Sequence, residues 1–240
     1  MVKRRDIIIF VILFVTFVIW SNSFIAIGLL KAKMTAFQLV QLRFIPVGVV
    51  SLIIILWGYR RQAAAMLRSH PWHLLAIAAL SVPAYNLLLN SAMGYIKPSA
   101  GSLLVCLNPL FTMFLAQKYL GESYSLRRAA GTVLSFLGLG VVVIYGKVGL
   151  EESVIIPLDK VPYALMVVMA SLSWVVSVII SKRLMEKYSA VAITYVSLAV
   201  GSLPLVFMID RPFAGLFLSL TPLDHLSWVS LSLGCTIVGF

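Results

Sequence analysis

Long apolar stretches separated by short polar connections run along almost the whole chain of 240 residues. A helix that crosses a bilayer needs about 20 apolar residues, and these stretches have that length. Transmembrane β-strands are about half as long and alternate in polarity, whereas these stretches are continuous. The pattern predicts an all-α polytopic membrane protein with seven complete spans, at 7–30, 37–57, 72–94, 99–119, 129–146, 162–181 and 189–209, and an eighth that begins near Leu226.

Composition supports lipid as the solvent of this chain. The apolar fraction is 61% and the charged fraction is 11%, against about 25% charged residues in soluble domains. The net charge of +11 does not indicate a nucleic-acid partner, because the basic residues lie singly or in small groups between the apolar stretches. Such spacing is typical of membrane topology signals.

The basic residues also predict an orientation. Twelve Lys and Arg residues fall on the side of the N-terminus and six on the other side. Because cytoplasmic connections carry the excess of positive charge, we expect a cytoplasmic N-terminus in a plasma (inner) membrane. The first span follows Lys3, Arg4 and Arg5 and carries no small-residue cleavage site, so we expect it to remain uncleaved.

All eight carboxylates lie at the ends of the apolar stretches or between them. A mechanism that moves protons through a buried carboxylate is therefore not expected, and general acid–base catalysis has no agent at depth. The three histidines lie at span ends and fit no metal motif, so no metal or cofactor is predicted. Cys106 and Cys235 fall in apolar stretches, where we expect packing rather than a disulfide.

The chain partly matches itself at a shift of about 154 residues. Trp20 falls on Trp174, and Thr35–Leu39 on Ser189–Ile193. Five spans in the first unit would make the second unit enter the membrane from the opposite side, as in inverted-repeat transporters. We predict repeat units at 1–154 and 155–240. The second would hold two helices and part of a third, so we expect the natural protein to continue for about 60 residues. A duplication without mechanistic meaning is the alternative.

Several short motifs, in this order and spacing, resemble the EamA family of the drug/metabolite transporter superfamily. They are Trp20-Ser21-Asn22-Ser23-Phe24, Gln41-Leu42-Arg43-Phe44, Asn108-Pro109-Leu110-Phe111-Thr112, Leu120-Gly121-Glu122 and Ala130-Gly131. The resemblance implies ten helices in two inverted five-helix repeats around a central cavity, of which about seven and a half are present in this chain. It also implies export or exchange of small metabolites.

A rise of about 1.5 Å per residue places four polar or aromatic side chains near the bilayer midplane. They are Trp20, Asn86, Asn108 and Trp174. Transporter substrate sites lie at that level. Asn86 and Asn90 share a helix face, and Tyr85 is adjacent. Plain helix packing and interhelical hydrogen bonds are the alternatives. The predicted substrate-binding residues are Trp20, Asn22, Tyr85, Asn86, Asn90, Asn108 and Trp174.

Four further residues are predicted to have structural or gating roles: Arg43, Pro83, Pro109 and Glu122. Arg43 would lie about 9 Å inside the outer edge of its span, so its head is able to reach the interface. We expect a structural contact to carbonyls or an interfacial partner, and binding of an anionic substrate group is the alternative. Gly131, Ser135 and Gly138 predict a close helix approach.

The sequence therefore predicts an integral membrane transporter, or permease, and no enzyme. Its expected substrates are amino-acid-like or other neutral, zwitterionic or anionic metabolites, moved by alternating access for export or exchange. The partners are the small-molecule substrate and the lipid bilayer, and no oligomeric state is predicted. A non-transporting scaffold or receptor, or less favourably a membrane-embedded enzyme, is the alternative.

Overall fold

A computed structural model of the protein describes residues 4–121, 126–145, 156–209 and 211–238, and every regular element in these ranges is helical. The α-helices are α1 (Arg4–Lys31), α2 (Ala36–Ile54), α3 (Arg60–Ser69), α4 (Pro71–Ala79), α5 (Tyr85–Ala92), α6 (Pro98–Val105), α7 (Asn108–Leu120), α8 (Leu126–Tyr145), α9 (Val161–Leu184), α10 (Ala190–Phe207), α11 (Arg211–Ser219) and α12 (Pro222–Val229). Turns of π-helix lie at Ile55–Tyr59, Leu80–Ala84 and Ser230–Val238, and a 3₁₀ turn at Leu158–Lys160.

Within the described ranges, six continuous helical segments are long and apolar enough to cross a membrane. They are Ile8–Lys31, Ala36–Ser69, Pro71–Ala92, Pro98–Leu120, Leu158–Leu184 and Ala190–Phe207. Helix α8 lies over the predicted fifth span, and α12 begins at Pro222, four residues before the predicted start of the eighth span. The all-α polytopic membrane fold is thus confirmed.

The second span extends further than its predicted end at residue 57. Helix α2 continues through the π-turn Ile55–Tyr59 into α3 and stops at Ser69. Arg60 and Arg61 end the apolar stretch but not the helix, because arginine is a good helix former and its long stem tolerates the membrane boundary.

Proline interrupts two of the spans. Pro83 lies in the π-turn Leu80–Ala84 that joins α4 to α5. Proline lacks a backbone N–H, and its ring crowds the preceding turn. The backbone hydrogen bonds therefore change locally from the α-helical to the wider π-helical pattern. In the fourth span, α6 ends before Cys106 and α7 restarts at Asn108, with Pro109 in its first turn.

Helices α2 and α10 pack against each other in opposite directions. Gln41, near the start of α2, donates from Nε2 to the carbonyls of Leu205 and Met208 at the end of α10, at 3.2 and 2.9 Å. Ile55, beyond the end of α2, packs in one cluster with Ile193 near the start of α10. This antiparallel relation is the one that an inverted repeat predicts for two matching helices, while the division into units 1–154 and 155–240 stays a prediction.

Glycine allows the closest helix contacts. A Cβ built on Gly48 would lie 2.7 Å from Cβ of Ser202, and one on Gly201 would lie 2.8 Å from the carbonyl oxygen of Ala78. No described atom lies within 4 Å of a Cβ built on Gly131 or Gly138. The close approach expected on α8 is therefore found on α2 and α10 instead, and the face of Gly131 is exposed within the described part of the chain.

Candidate functional site

A cavity of about 390 Å³ lies between α1, α2, α4, α9 and α10 and the start of α5. Its aromatic walls are Trp20, Phe44, Tyr85 and Trp174. Its polar lining consists of Arg43, Ser81, Asn86, Ser177, Ser181, Thr194 and Ser197. The aliphatic part consists of Ile77, Val178, Met185, Ile193 and Leu198. The lining therefore combines apolar walls with a few polar groups, as ligand sites generally do.

Arg43 is the cation of this lining, and it is held by two neutral side chains. It is only 8% exposed. Its Nε donates to Oγ1 of Thr236 at 3.0 Å, and its Nη1 donates to Oδ1 of Asn86 at 3.2 Å. Its Cζ lies 5.1 Å from the ring centroid of Phe44. The guanidinium thus joins α2 to the two interrupted helices that carry Asn86 and Thr236.

Among the described residues, Arg43 contacts side-chain oxygens and not backbone carbonyls or an interfacial partner. The head turns inward instead, because Asn86 and Thr236 supply acceptors at depth that lipid cannot supply. Hydrogen bonding and a neighbouring aromatic face replace part of the lost hydration of the charge.

Asn86 and Thr236 also satisfy backbone groups of their own irregular turns. Nδ2 of Asn86 donates to the carbonyls of Ser81 and Val82 at 3.1 and 2.9 Å. Oγ1 of Thr236 donates to the carbonyl of Leu231 at 3.0 Å. In a low-dielectric interior a carbonyl without a donor is costly, so these side chains stabilise the π-turns and at the same time present oxygen atoms to Arg43.

The two predicted tryptophans both line the cavity. Nε1 of Trp20 donates to the carbonyl of Cys235 at 3.2 Å, which joins α1 to the π-turn that follows α12. The rings of Tyr85 and Trp174 lie 5.4 Å apart between centroids, at 47°. Ser173, beside Trp174, donates to the carbonyl of Leu80 at 2.7 Å. The two helices that carry Trp20 and Trp174 are therefore each bonded to a π-helical turn.

Hydroxyl groups form a part of the lining that the sequence did not single out. Ser81, Ser177 and Ser181 donate to the carbonyls of Ile77, Trp174 and Ser177 at 2.7, 2.6 and 2.8 Å. Their protons are used within their own helices, so each oxygen presents lone pairs to the cavity. The signal was present in the spacing Trp174, Ser177, Ser181, Met185, which is one face of a helix.

The cavity extends towards one end of the molecule, here called the Met185 end. From Trp174 to Met185 the lining follows α9 for about 16 Å. Thr194, near the start of α10, lines the same region. At this end Tyr188 Oη lies 3.3 Å from Nδ1 of His70, and Oε1 of Gln62 accepts from the backbone N–H of Ser189.

The opposite end, here called the Lys33 end, is joined by an ion pair and an aromatic stack. Nζ of Lys33 lies 2.6 Å from Oδ2 of Asp224. Tyr95 and Tyr163 stack at 3.9 Å, with Nζ of Lys160 at 5.8 Å from both rings. Hydrogen bonds from Lys33, and then from Thr221, lower the pKa of Asp224 to about 2.

Of the predicted site residues, Trp20, Arg43, Tyr85, Asn86 and Trp174 come together in the cavity lining. The others lie elsewhere. Asn22 is exposed and donates to Oγ of Ser230 at 2.9 Å. Asn90 is 1% exposed, and its Oδ1 and that of Asn108 are buried without a hydrogen bond to any described residue. Pro83 and Pro109 lie in the interruptions described above, and Glu122 lies outside the described residues.

Metal-binding clusters are not found among the described residues: no group of three or more His, Cys, Asp or Glu side chains could hold an ion there. Cys106 is exposed and Cys235 is buried, and both are free thiols. Within the described chain, the cavity lining carries no acidic side chain.

The sequence of this chain matches those of known proteins. Residues 7–144 match the EamA-like transporter family. An uncharacterized transporter of Archaeoglobus fulgidus is 24% identical over 196 residues, which are 81% of this chain and 65% of that protein. An uncharacterized transporter of Haemophilus influenzae is 26% identical over 141 residues, 58% of this chain and 45% of that protein.

The chain thus spans less than two thirds of the length of either relative. A solved crystal structure shares the fold, with a TM-score of 0.66 at 20% identity, over 95% of this chain and 75% of that chain. The family match covers more than half of the sequence and includes the resembling motifs from Trp20 to Gly131. The chain belongs to the EamA-like transporter family.

Proposed function

We propose that the protein is a permease of the plasma membrane that exports or exchanges small neutral, zwitterionic or anionic metabolites by alternating access. The observation that carries this proposal is the cavity itself. Aromatic walls and uncharged polar groups meet there, around a single arginine, where α1, α2, α9 and α10 converge. Membership of the EamA-like transporter family supports transport as the activity of such a cavity.

The two ends of the molecule support a gating role for the proposed repeats. The lining follows α9 to the Met185 end, whereas the Lys33–Asp224 ion pair and the Tyr95–Tyr163 stack join the chain at the Lys33 end. Alternating access requires one open and one closed end in each state. In this proposal the Met185 end is the open end and the Lys33 end is the closed one.

The Lys and Arg count supports a cytoplasmic Met185 end. Lys182, Arg183 and Lys187 lie there, on the side that the positive-inside rule places in the cytoplasm. A cavity open to the cytoplasm would load substrate inside the cell, which fits export or exchange.

Transport by the full chain in proteoliposomes, assayed with a panel of labelled metabolites, tests the proposal. Asn86→Ala and Trp174→Ala should abolish uptake, because each removes part of the cavity lining. Trp57→Ala is the matched control, since Trp57 is 90% exposed and lies outside the cavity. Thermal unfolding of each purified variant checks that the fold survives. Normal flux in both cavity variants contradicts the proposal.

A further inference from the structure

The charge of Arg43 has no acidic counterpart in the described part of the molecule. Of the carboxylates whose contacts the structure shows, Asp224 pairs with Lys33 and Asp159 with Lys160, while Glu186 is exposed. Asn86 and Thr236 are neutral and bring no negative charge to the guanidinium. Buried charges in proteins are generally paired, so the cavity holds a cation for which the described residues supply no anion.

The guanidinium also keeps unused donors. It carries five N–H groups, and two of them are bonded, one on Nε and one on Nη1. The remaining three, which include both on Nη2, make no hydrogen bond to any described residue. The side chain is 92% buried, by its 8% exposure, and lines the cavity, so these donors face a space that a ligand can enter.

We propose that Arg43 binds the carboxylate of the transported compound, and that this contact determines substrate specificity. A planar carboxylate matches the free fork of an arginine and can accept two parallel hydrogen bonds from it. The inference rests on the proposed transport function, and it narrows the substrates to small organic compounds with a carboxylate.

The two contacts that occupy Arg43 also fix its position. Thr236 holds Nε and Asn86 holds Nη1, so the orientation of the fork is set before a ligand arrives. Such preorganisation raises affinity by lowering the entropic cost of binding.

The rest of the lining indicates what accompanies the carboxylate. Tyr85 and Trp174 supply an aromatic surface for an apolar group. The oxygens of Ser177 and Ser181 accept hydrogen bonds, and with no acidic group in the described lining an ammonium group would meet only such neutral acceptors. The expected ligand is therefore a monocarboxylate or a zwitterion with an apolar side chain. Organic cations without a carboxylate are not expected as substrates, because Arg43 would repel them.

Matched acids and amides test this inference. The probes are tritiated N-acetyl-leucine, N-acetyl-phenylalanine and N-acetyl-aspartate with the corresponding amides, and unmodified leucine and phenylalanine. Binding to the full chain in nanodiscs and uptake into proteoliposomes are both measured. We expect at least one acid to bind about tenfold or more tightly than its amide.

Arg43→Gln should remove that difference, because the glutamine is neutral and lacks the fork. Arg43→Lys keeps the charge and should retain part of the preference. Arg183→Gln is the matched control: Arg183 is exposed, donates to the carbonyl of Tyr119 and lies outside the cavity. It should leave the preference unchanged.

The outcomes separate this inference from the proposed function. Equal binding and uptake of acids and amides would overturn the role of Arg43 and leave transport standing. Absence of both binding and uptake for every probe would overturn the inference, and the broader metabolite panel would then decide whether transport stands. Should Arg43→Gln fail to fold, the comparison of acids with amides in the unmodified protein still decides the question.

Discussion

Asn86 and Thr236 make the same two kinds of hydrogen bond in two interrupted helices. Each donates to the carbonyl of the residue five positions earlier, Ser81 in one case and Leu231 in the other. Each also accepts a hydrogen bond from Arg43. One arginine on α2 therefore ties together two turns that the proposed inverted repeat relates to each other.

The first prediction concerns the stability of this cluster. Asn86→Ala should lower the free energy of unfolding by about 1–3 kcal/mol, because buried partners of Asn86 are left without a hydrogen bond. Asn22→Ala is the matched control, since exposed Asn22 makes one hydrogen bond to a described residue, to Oγ of Ser230. It should cost less, near the average of about 0.6 kcal/mol for a hydrogen bond in a membrane protein. Thermal unfolding in detergent measures both variants, and equal effects would contradict the prediction.

A second prediction uses the close packing of α10. Gly201→Ala should destabilise the protein by about 1–3 kcal/mol, because overpacking forces the backbone to move. The new Cβ would lie 2.8 Å from the carbonyl oxygen of Ala78, which cannot turn away as a side chain could. Gly131→Ala, where no described atom lies within 4 Å, should be neutral or stabilise α8 by up to about 1 kcal/mol. A larger loss of melting temperature for Gly131→Ala than for Gly201→Ala would contradict this packing.

A third prediction tests which faces of α9 meet water. Ser181→Cys, in a background with Cys106→Ser and Cys235→Ser, should react with a membrane-impermeant thiol reagent added at the Met185 end. Val176→Cys should not, because Val176 is exposed on a membrane-spanning helix and does not line the cavity. Labelling of inside-out and right-side-out vesicles would also show which compartment the cavity opens to. Equal labelling of the two positions would contradict the proposed opening.

A fourth prediction concerns the ion pair at the Lys33 end. The folded-state pKa of Asp224 is lowered to about 2, below the unfolded value of about 3.9. A group whose pKa is lowered by folding stabilises the fold fully above its unfolded value, and that contribution is lost as the pH falls through the folded value. Between pH 5 and 8 the pair should therefore not titrate, and Asp224 should impose no pH dependence on stability there. A loss of stability in that range that disappears in Asp224→Asn would contradict the assignment.

The same pair offers a comparison of two truncations. Lys33→Ala removes the ion pair alone, whereas Asp224→Ala also removes the capping box in which Asp224 accepts from the backbone N–H and Oγ1 of Thr221. Asp224→Ala should thus lower the melting temperature more than Lys33→Ala does. The reverse order would show that the cap contributes nothing at this helix start.

The fold was predictable because lipid imposes a simple rule on the sequence. Backbone groups in a membrane must be satisfied within the helix, so long apolar stretches leave little choice. The helix ends were less predictable: Arg60 and Arg61 close the apolar stretch, but the helix continues to Ser69. Hydropathy indicates which part of a chain contacts lipid, but it does not indicate where the helix ends.

Site residues were predictable where a polar or large aromatic side chain lies in the middle of an apolar stretch. Trp20, Asn86 and Trp174 are conspicuous in apolar stretches, and all three line the cavity. Asn108 is equally conspicuous and does not, because lining depends on which helix face points inward. Ser177 and Ser181 were missed, since a serine in a membrane helix usually bonds its own backbone. Only their spacing from Trp174 along one helix face could have indicated that they face the cavity.

The inward-bonded serine protons give the cavity a direction. Along α9 the hydroxyl oxygens of Ser177 and Ser181 offer electron pairs, while Arg43 offers N–H groups that no described residue accepts. A zwitterion entering from the Met185 end would find acceptors for its ammonium group behind it and donors for its carboxylate ahead, so it would travel with the acid foremost. The same zwitterion entering with its ammonium group foremost would meet the like charge of Arg43, so the cavity would select the orientation of its ligand as well as its shape.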